Sequence, residues 1–502
     1  SDNIKQLSQS GINDFGGISP VTKDYVNPEA PWPEIEKLNK IISTSNQSLK
    51  PRATLYPKYF NDLDSFSSPR ISSQLLQITD SQSLIRSDFW RSGISNKIPS
   101  YPEAIFNSNI RQSIDNVEKN PSIENIQQLL ETSDNDFKYV TDYANDVKSQ
   151  IHGSDITFVV NRNINYTNIC SFKCNFCAFS KGRGHDDLRG KPYNISHEEI
   201  IRRTNEAVAR GATEVCLQGG IHPKYSGETY LDIVRAIRSA SSSIHIHAFS
   251  PLEIDHGRKT LNISAKEFLV ELKKAGLNSL PGTAAEILHD EIRAIICPDK
   301  LTTKQWIEII ETAHSVGLPT TSTMMFGHVE KTAHVAHHLL ELLNLQKKTN
   351  GITEFVPLPF VADEAPIFRR GQARPGPTFK ETILVHSVAR ILFQGQINNI
   401  QGSWVKMGLP GLKFLLSSGI NDIGGVLMNE SITRSAGASF GQELRLEEVE
   451  GIVNELGLNL QQRNTLYDSL NSNLRDLITL QSIPLIPINN DYHQPKKLIN
   501  IT

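Results

Sequence analysis

The sequence predicts an α/β protein built around a TIM-type β/α barrel, complete or partial, with a helical segment in front of it and an extended Pro-rich arm at the N-terminus. From Ile156 onward, β-branched stretches alternate with amphipathic segments, and strands that alternate with helices of about 10–15 residues are typical of a parallel sheet. Six or more such units follow one another without a dinucleotide-binding glycine fingerprint. This pattern favours a barrel over an open sheet.

The first hundred residues lack regular periodicity. Residues 1–60 are rich in Pro and Gly, and the run 26–33 contains Pro28, Pro31 and Pro33. Proline fixes φ and removes a backbone donor, which excludes a helix interior or a central strand there. Residues 61–100 are Ser-rich with weak spacing. We therefore expect an extended arm over 1–60 and a linker over 61–100.

Helical spacing dominates residues 101–155, where apolar side chains recur every three or four positions. These side chains are Ile123, Ile126, Leu129, Leu130, Phe137, Val140, Tyr143, Ala144 and Val147. The barrel is expected over 156–445, followed by a C-terminal helical segment and tail over 446–502. Two helix starts within the barrel carry the capping-box pattern, Ser196 with Glu199 and Ser264 with Glu267.

One loop sequence occurs twice. SGINDFGGIS begins at Ser10, and SGINDIGGVL begins at Ser418. No short-period array surrounds either copy, which excludes a solenoid. The repeat indicates two large modules in tandem, each ending in this loop, with the first reduced to its tail.

Composition excludes several classes of function. The net charge of −3 over 502 residues argues against a nucleic-acid or anionic-membrane surface. No stretch approaches the roughly 20 apolar residues of a membrane span, and the polar N-terminus has no signal-peptide core. Five cysteines cannot form a disulfide scaffold in a chain of this length. A reducing, cytoplasmic location is the expectation.

Three of the five cysteines, Cys170, Cys174 and Cys177, lie within eight residues directly after the first predicted strand. Thiolates at this spacing can hold three corners of a [4Fe–4S] cluster and leave one iron open. An open iron can chelate the amino and carboxylate groups of S-adenosylmethionine. The alternatives are three unconnected buried thiols, or a structural zinc site, for which His185 is the one nearby fourth ligand.

The CxxxCxxC motif, with Phe176 before its last cysteine, resembles the radical S-adenosylmethionine (radical SAM) superfamily. Residues from about Tyr101 to Leu444 resemble its CofH-type family, the tyrosine-dependent half of FO synthase, which makes the deazaflavin chromophore of coenzyme F-420. The matching segments are Val159–Cys170, Cys177–Phe179, Leu217–Pro223, His247–Pro251, Leu280–Leu288 and Met324–His328. Residues 10–33 resemble the end of the CofG-type half. Since no second CxxxCxxC motif occurs in the sequence, we expect the ring-closing CofG-type activity to be absent.

The resemblance implies a radical SAM transferase. A [4Fe–4S] cluster and S-adenosylmethionine are its implied cofactors, and a 5′-deoxyadenosyl radical takes hydrogen from L-tyrosine. The 4-hydroxybenzyl fragment then adds to 5-amino-6-(D-ribitylamino)uracil. An electron donor and a CofG-type module or enzyme for the next step are the implied partners, with no nucleic acid and no membrane.

Other site residues follow from the same resemblance. Its implied cofactor-binding residues are Phe176, Gln218, Gly219, Gly220 and Glu286, and its candidate catalytic residues are His247 and Glu286. Each has an ordinary structural alternative. These are an aromatic plug for Phe176, a glycine turn for Gly219 and Gly220, a helix cap for Glu286 and a core position for His247. Cys216 and Cys297 are distant in sequence and are expected to be non-ligands.

The sequence leaves two other functions open. A menaquinone-pathway enzyme, aminofutalosine synthase or dehypoxanthine futalosine cyclase, would share the barrel and the cluster. Such enzymes do not carry a CofG-like tail, which argues against them. A non-catalytic, scaffold-like derivative is the rival from another class, and the intact cysteine triad argues against it.

Overall fold

The computed structural model describes residues 2–19, 22, 25–26, 34–43, 47–102, 108–181 and 191–490. These residues divide into two compact units, the first comprising 1–62 with 83–85 and the second comprising 63–82 with 86–502. Within the described ranges, no helix has both the length and the apolar character that a bilayer crossing requires.

The first unit contains two helices, α1 (Asp2–Gln9) and α2 (Ile35–Ser43), and a 3₁₀ turn at Pro57–Asp62. The two helices contact each other, and α2 buries Leu38 and Ile42 on its inner face. The expectation of an extended arm over 1–60 is therefore wrong for these segments. In α2, Leu38 and Ile42 are four residues apart, so a helix buries both on one face. The Pro-rich run 27–33 lies outside the described residues.

The Ser-rich stretch 61–100 is not a plain linker. It forms α3 (Leu63–Phe66) and α4 (Pro69–Ile78), and after them Arg86, Asp88 and Trp90 are buried. The Arg86 guanidinium donates to the carbonyl of Gly376 at 2.7 Å, and the Asp88 carboxylate accepts from the backbone N–H of Phe379 at 3.1 Å. These long-range hydrogen bonds, which spacing could not indicate, hold the stretch against the barrel.

Three helices precede the barrel, namely α5 (Ser108–Lys119), α6 (Ile123–Leu130) and α7 (Asp134–His152). The hydroxyl groups of Ser122 and Ser133 cap α6 and α7, as side-chain oxygens do for free N–H groups at helix starts. The apolar positions predicted for this region face inward, with Ile126, Leu129 and Val140 fully buried.

Strands and helices then alternate along the chain. The elements are β1 (Asp155–Val159), β2 (Asn161–Asn165), α8 (His197–Ala209), β3 (Glu214–Gln218), α9 (Gly227–Ala240), β4 (His245–Ala248), α10 (Pro251–Leu261), α11 (Ala265–Ala275), α12 (Asp290–Ile296), α13 (Thr303–Ser315), β5 (Thr320–Phe326), α14 (Thr332–Thr349), β6 (Ile352–Pro359), α15 (Pro366–Arg369), α16 (Phe379–Leu392), α17 (Trp404–Leu416), β7 (Asp422–Gly425), α18 (Ile432–Ser435), α19 (Leu446–Glu455), β8 (Asn459–Gln462) and α20 (Leu474–Gln481).

The strands close into a complete ring in which all contacts are parallel. The ring starts with β1 and β2, which follow each other directly along the chain. Its order then runs through β3, β4, the segment at 279–280, β5, β6, the segment at 400–401 and β7, and β7 pairs with β1. The bridge between Arg162 and Met428 completes the closure beside β2. The barrel predicted as complete or partial is thus closed, and its catalytic face is the C-terminal end of the strands.

The predicted capping boxes differ in outcome. At Ser264 the box is complete, with Glu267 returning a hydrogen bond to the Ser264 N–H at 2.8 Å. At Ser196 the hydroxyl caps the Glu199 N–H, but the Glu199 carboxylate pairs with Arg202 and Arg203 instead. Ion pairs with two guanidinium groups stabilise the Glu199 carboxylate more than one hydrogen bond from the Ser196 N–H would.

The C-terminal region contributes to the barrel itself. Residues 446–502 were expected to be helical with a tail, but β8 pairs in parallel with β1. Beyond β8, Arg463 and Thr465 enter the barrel from below, each less than 5% exposed. This region therefore closes the floor of the barrel.

Candidate active site

The cysteine loop begins at the C-terminal end of β2 and is fixed on both sides by Asn175. The Asn175 N–H donates to Ile296 at 2.8 Å, and its side-chain amide donates to Ile295 at 2.7 Å. On the other side, its carbonyl accepts from Ile367 and its side-chain oxygen accepts from Arg370. The loop is thus held between the end of α12 and the start of α15.

The three thiols have few polar neighbours. Cys170 Sγ accepts from the Ile221 N–H at 3.3 Å, and Cys177 Sγ accepts from the Ser180 N–H at 3.4 Å. Burial raises the pKa of Cys174 and of Cys177. Thiolates at these positions need compensating positive charge, which an iron–sulfur cluster or a metal ion supplies.

The loop fits a cluster better than a single metal ion. Among the described residues, one group of three His, Cys, Asp or Glu ligand atoms lies within 4.8 Å of one another, and it consists of His289, Glu291 and His334. The three cysteine sulfurs are therefore spread more widely than the ligands of one tetrahedral ion, about 2.3 Å from each sulfur, would be. His185, the fourth ligand of the zinc alternative, lies outside the described residues.

Two glycines pack under this loop. A Cβ at Gly219 would lie 2.3 Å from the Tyr166 ring, and a Cβ at Gly220 would lie 2.3 Å from the carbonyl oxygen of Ile169. The Gly220 N–H also donates to Thr167 at 2.9 Å. Only glycine allows this close approach of two backbone segments, so both residues have a packing role beside the cysteine loop.

Phe176 and Glu286 meet at a lysine that sequence reasoning missed. Lys300 Nζ donates to Glu286 Oε1 at 2.6 Å and lies 5.2 Å from the centre of the Phe176 ring. Burial alone would lower the pKa of Lys300, but Cys174 and Glu286 outweigh it and raise that pKa. Glu286 does not cap a helix, since α12 begins at Asp290.

Gln218 and His247 face the barrel lumen. They line a cavity of about 230 Å³ together with polar side chains from most of the strands. The Asn163 side-chain oxygen in its wall is buried and has no hydrogen-bond partner in the part of the chain that the structure describes. Cys216 also lines the lumen, while Cys297 is buried at the end of α12.

His247 is held by a neighbouring strand position. Its Nδ1 is hydrogen-bonded to the Ser279 hydroxyl at 2.7 Å, a hydroxyl that also contacts His245 Nε2 at 2.7 Å. Burial lowers the pKa of His247, and the nearby Glu214 opposes this only in part. A neutral imidazole therefore faces the lumen near pH 7.

The lumen floor is a charge network built on Arg463, which sequence reasoning also missed. Its guanidinium pairs with both oxygens of Asp422, at 2.5 and 3.0 Å, and with Glu354 at 3.2 Å. Arg463 also lies 3.9 Å from the centre of the Tyr467 ring, and the Tyr467 hydroxyl bonds Glu354. Burial and Asp422 raise the pKa of Glu354 to about 7, against the opposing effect of Arg463.

The first unit also contains an arginine that pairs with an aspartate and lies over a tyrosine ring. Arg52 pairs with Asp14 and lies 4.1 Å from the centre of the Tyr56 ring. The sequences RATLY at 52–56 and RNTLY at 463–467 correspond. The Asp14 and Asp422 carboxylates each accept from the N–H two residues later, at 2.6 and 2.7 Å. This second repeat is the signal that could have identified Arg463 from sequence.

Two family models match this chain. The radical SAM superfamily matches residues 164–342, and the CofH/MqnC C-terminal region matches residues 349–475. A 5-amino-6-(D-ribitylamino)uracil–L-tyrosine 4-hydroxyphenyl transferase of Methanothermobacter thermautotrophicus is 45% identical over 339 residues, which cover 68% of this chain and 91% of that protein. The chain belongs to the CofH-type family of radical SAM proteins.

Longer relatives match as well. An FO synthase of Mycobacterium leprae is 38% identical over 510 residues, covering 92% of this chain. An FO synthase of Streptomyces coelicolor is 36% identical over 512 residues, also covering 92% of this chain. The chain spans 59% of the length of each of these relatives.

Solved structures share the fold of this CofH-type protein. Methylornithine synthase has a TM-score of 0.54 at 15% identity, covering 73% of this chain and 99% of the other. The hydrogenase maturase HydG of Carboxydothermus hydrogenoformans has a TM-score of 0.54 at 16% identity, covering 72% and 81%. The predicted radical SAM barrel is confirmed. Membership of the superfamily also confirms the predicted cofactor pair, a [4Fe–4S] cluster with S-adenosylmethionine.

Proposed function

We propose that this chain transfers the 4-hydroxybenzyl group of L-tyrosine to 5-amino-6-(D-ribitylamino)uracil in the biosynthesis of FO. The observation that carries the proposal is the 45% identity to a transferase named for these two substrates, over 91% of its length. The polar lumen of the closed barrel supports it. A ribityl chain and a pyrimidine need several donors and acceptors, and a site built with such groups discriminates strongly against ligands that leave them unpaired.

In this proposal Cys170, Cys174 and Cys177 hold the cluster, and Phe176, Gln218, Gly219, Gly220 and Glu286 bind S-adenosylmethionine beside it. The cluster and S-adenosylmethionine together supply the radical that takes hydrogen from tyrosine. Asn175 keeps the loop in place through four hydrogen bonds. The close approach of Gly220 to Ile169 sets the position of Cys170.

The protein's other contributions are orientation and water exclusion. The floor network of Arg463, Asp422 and Glu354 seals the lower end of the lumen with side chains that are 10% exposed or less. A reactive radical is thereby kept from bulk water. His247 stays neutral and lines the lumen, where its imidazole can accept or donate a hydrogen bond to the substrate.

We also propose that residues 1–60 retain the terminal part of a second, CofG-type module. The shared loop at Ser10 and Ser418 supports this, and so does the shared set of Asp14, Arg52 and Tyr56 with Asp422, Arg463 and Tyr467. The module boundaries proposed are the tail over 1–60 and the helical lead-in over 101–155, and the barrel extends past 445 to include β8.

Anaerobic reconstitution followed by mass spectrometry tests the function. Reduced enzyme with S-adenosylmethionine, L-tyrosine and the ribitylaminouracil is expected to give a tyrosine-derived adduct on the uracil. A second candidate is a menaquinone-pathway reaction, because one matching family model is shared by CofH and MqnC. Comparable turnover of the menaquinone precursor, or release of 5′-deoxyadenosine without the uracil adduct, would contradict the proposal.

A further inference from the structure

Two residues of opposite charge line the lumen of the barrel. Lys406, at the start of α17, and Glu430, in the loop after β7, both line the cavity. Burial lowers the pKa of Lys406, and the negative charge of Glu430 opposes that effect. Among the described residues the two form no ion pair.

Lys406 is poorly satisfied for a buried ammonium group. Its hydrogen bond in the described part of the chain is a long one, from Nζ to the Thr433 hydroxyl at 3.3 Å. Burial lowers the pKa of Lys406 to about 8. A buried ammonium with one weak neutral acceptor gains from an anion that enters the cavity.

The Glu430 carboxylate also lacks part of its hydrogen bonding. Its Oε1 accepts from the Thr433 N–H at 2.7 Å. Its Oε2 is buried and has no hydrogen-bond partner among the described residues, and the residue as a whole is 3% exposed. An unpartnered carboxylate oxygen in a lumen wall is an acceptor for a ligand N–H group.

The loop that presents Glu430 is held under strain. Leu427 and Asn429 both adopt positive φ, at 58° and 64°, which is costly for residues other than glycine. Asn161 and Arg162 of β2 fix them, because Asn161 accepts from the Leu427 N–H at 2.9 Å and Arg162 donates to the Asn429 side chain at 2.6 Å. The strand that leads to the cysteine loop therefore also positions Glu430.

We propose that Lys406 and Glu430 form the subsite for the α-amino-acid group of the substrate, with Lys406 pairing with the α-carboxylate and Glu430 Oε2 accepting from the α-ammonium. This inference rests on the proposed function, in which that substrate is L-tyrosine. S-Adenosylmethionine carries the same pair of groups. We assign the subsite to tyrosine because the open iron of the cluster can chelate the amino and carboxylate groups of S-adenosylmethionine.

The test measures binding without turnover. Reconstituted enzyme with an oxidised cluster and no reductant is titrated calorimetrically with L-tyrosine, tyramine, 3-(4-hydroxyphenyl)propionate and S-adenosylmethionine. The variants are Lys406→Met and Glu430→Gln, with Lys406→Arg as the charge-retaining rescue. Lys413→Met is the matched control, because Lys413 lies in α17 beyond the kink at Gly408, with its side chain 42% exposed and paired with Glu455.

We expect Lys406→Met to weaken L-tyrosine binding by roughly 10- to 100-fold and to leave tyramine binding unchanged, since tyramine lacks the carboxylate. Glu430→Gln is expected to weaken L-tyrosine binding and to leave hydroxyphenylpropionate binding unchanged. Lys406→Arg should recover part of the affinity, and Lys413→Met should match wild type. Unchanged tyramine binding also shows that Lys406→Met is folded.

Three outcomes separate the possible failures. Affinity for L-tyrosine within twofold of wild type in both variants would overturn the subsite. A fall in S-adenosylmethionine affinity with L-tyrosine binding intact would overturn the assignment to tyrosine. Wild-type enzyme that binds no L-tyrosine, yet binds S-adenosylmethionine, would overturn the proposed function itself.

Discussion

Lys300 Nζ and Glu286 Oε1 are joined by a 2.6 Å hydrogen bond beside the cysteine loop, with side chains 11% and 13% exposed. Replacing Lys300 by Met leaves the Glu286 carboxylate largely buried and unpaired. We expect a loss of about 3 kcal/mol in the free energy of unfolding, because breaking one side of a buried pair costs more than the pair contributes. Chemical denaturation of the apo-protein measures it.

Lys304→Met is the control for this prediction, since Lys304 is 85% exposed on the next helix. It is expected to change stability by less than about 0.5 kcal/mol. The double variant Lys300→Met with Glu286→Gln should recover most of the loss, because it removes both charges. A Lys300→Met protein as stable as wild type would show that the pair is not structurally important.

The assignment of the three cluster ligands predicts a clear division among the five cysteines. Single Cys→Ala changes at 170, 174 or 177 should abolish retention of about four irons per chain after reconstitution. Cys216→Ala and Cys297→Ala should retain wild-type iron and sulfide, because these residues lie in the lumen wall and at the end of α12. Iron and sulfide analysis with visible absorbance decides it. Near-wild-type iron in the triple variant would remove the assignment.

Gly220 is expected to be essential for cluster retention although it offers no ligand atom. An alanine Cβ there would meet the Ile169 carbonyl at 2.3 Å and Cys170 Cβ at 3.0 Å, so the backbone before Cys170 must shift. We expect Gly220→Ala to destabilise the protein by about 1–3 kcal/mol and to lower its iron content.

Gly451→Ala is the matched control for Gly220→Ala. Gly451 lies within α19, and a Cβ there would meet no atom of the described residues within 4 Å. Alanine in an exposed helix interior should stabilise by roughly 0.5–1 kcal/mol. If both variants reconstitute equally well, the close approach at Gly220 does not set the cysteine position.

Glu354 predicts a specific dependence of stability on pH. Its pKa is raised from the usual 4.5 to about 7 by burial, so between these values the folded protein holds a proton that the unfolded chain releases. Stability therefore falls as pH rises through this window. Relative to Glu354→Gln, wild type should lose roughly 2 kcal/mol of unfolding free energy between pH 5 and pH 8.

Denaturation at a series of pH values measures the effect of Glu354. The control is Glu308→Gln, whose side chain is 58% exposed on α13. It should follow the wild-type curve throughout. A difference between wild type and Glu354→Gln that stays constant from pH 5 to pH 8 would contradict the raised pKa.

The sequence by itself determined the features that are local. The CxxxCxxC motif, the alternation of strand and helix from Ile156, and the complete box at Ser264 depend on residues a few positions apart. Periodicity and cap chemistry act over that range. The same locality explains the error over 61–100, where Arg86 and Asp88 are fixed by Gly376 and Phe379, nearly 300 residues away.

Only the tertiary structure decided which side chains meet inside the barrel. Lys300 reaches Glu286 across a helix, and Arg463 reaches Glu354 across 109 positions. Lys406 on α17 and Glu430 in the loop after β7 line the same cavity. Neither the helix nor the strand periodicity of the sequence indicates that these charged residues are neighbours. Closure of a parallel ring places the ends of all its strands around one lumen. Charged side chains that are distant in sequence are therefore buried next to one another there.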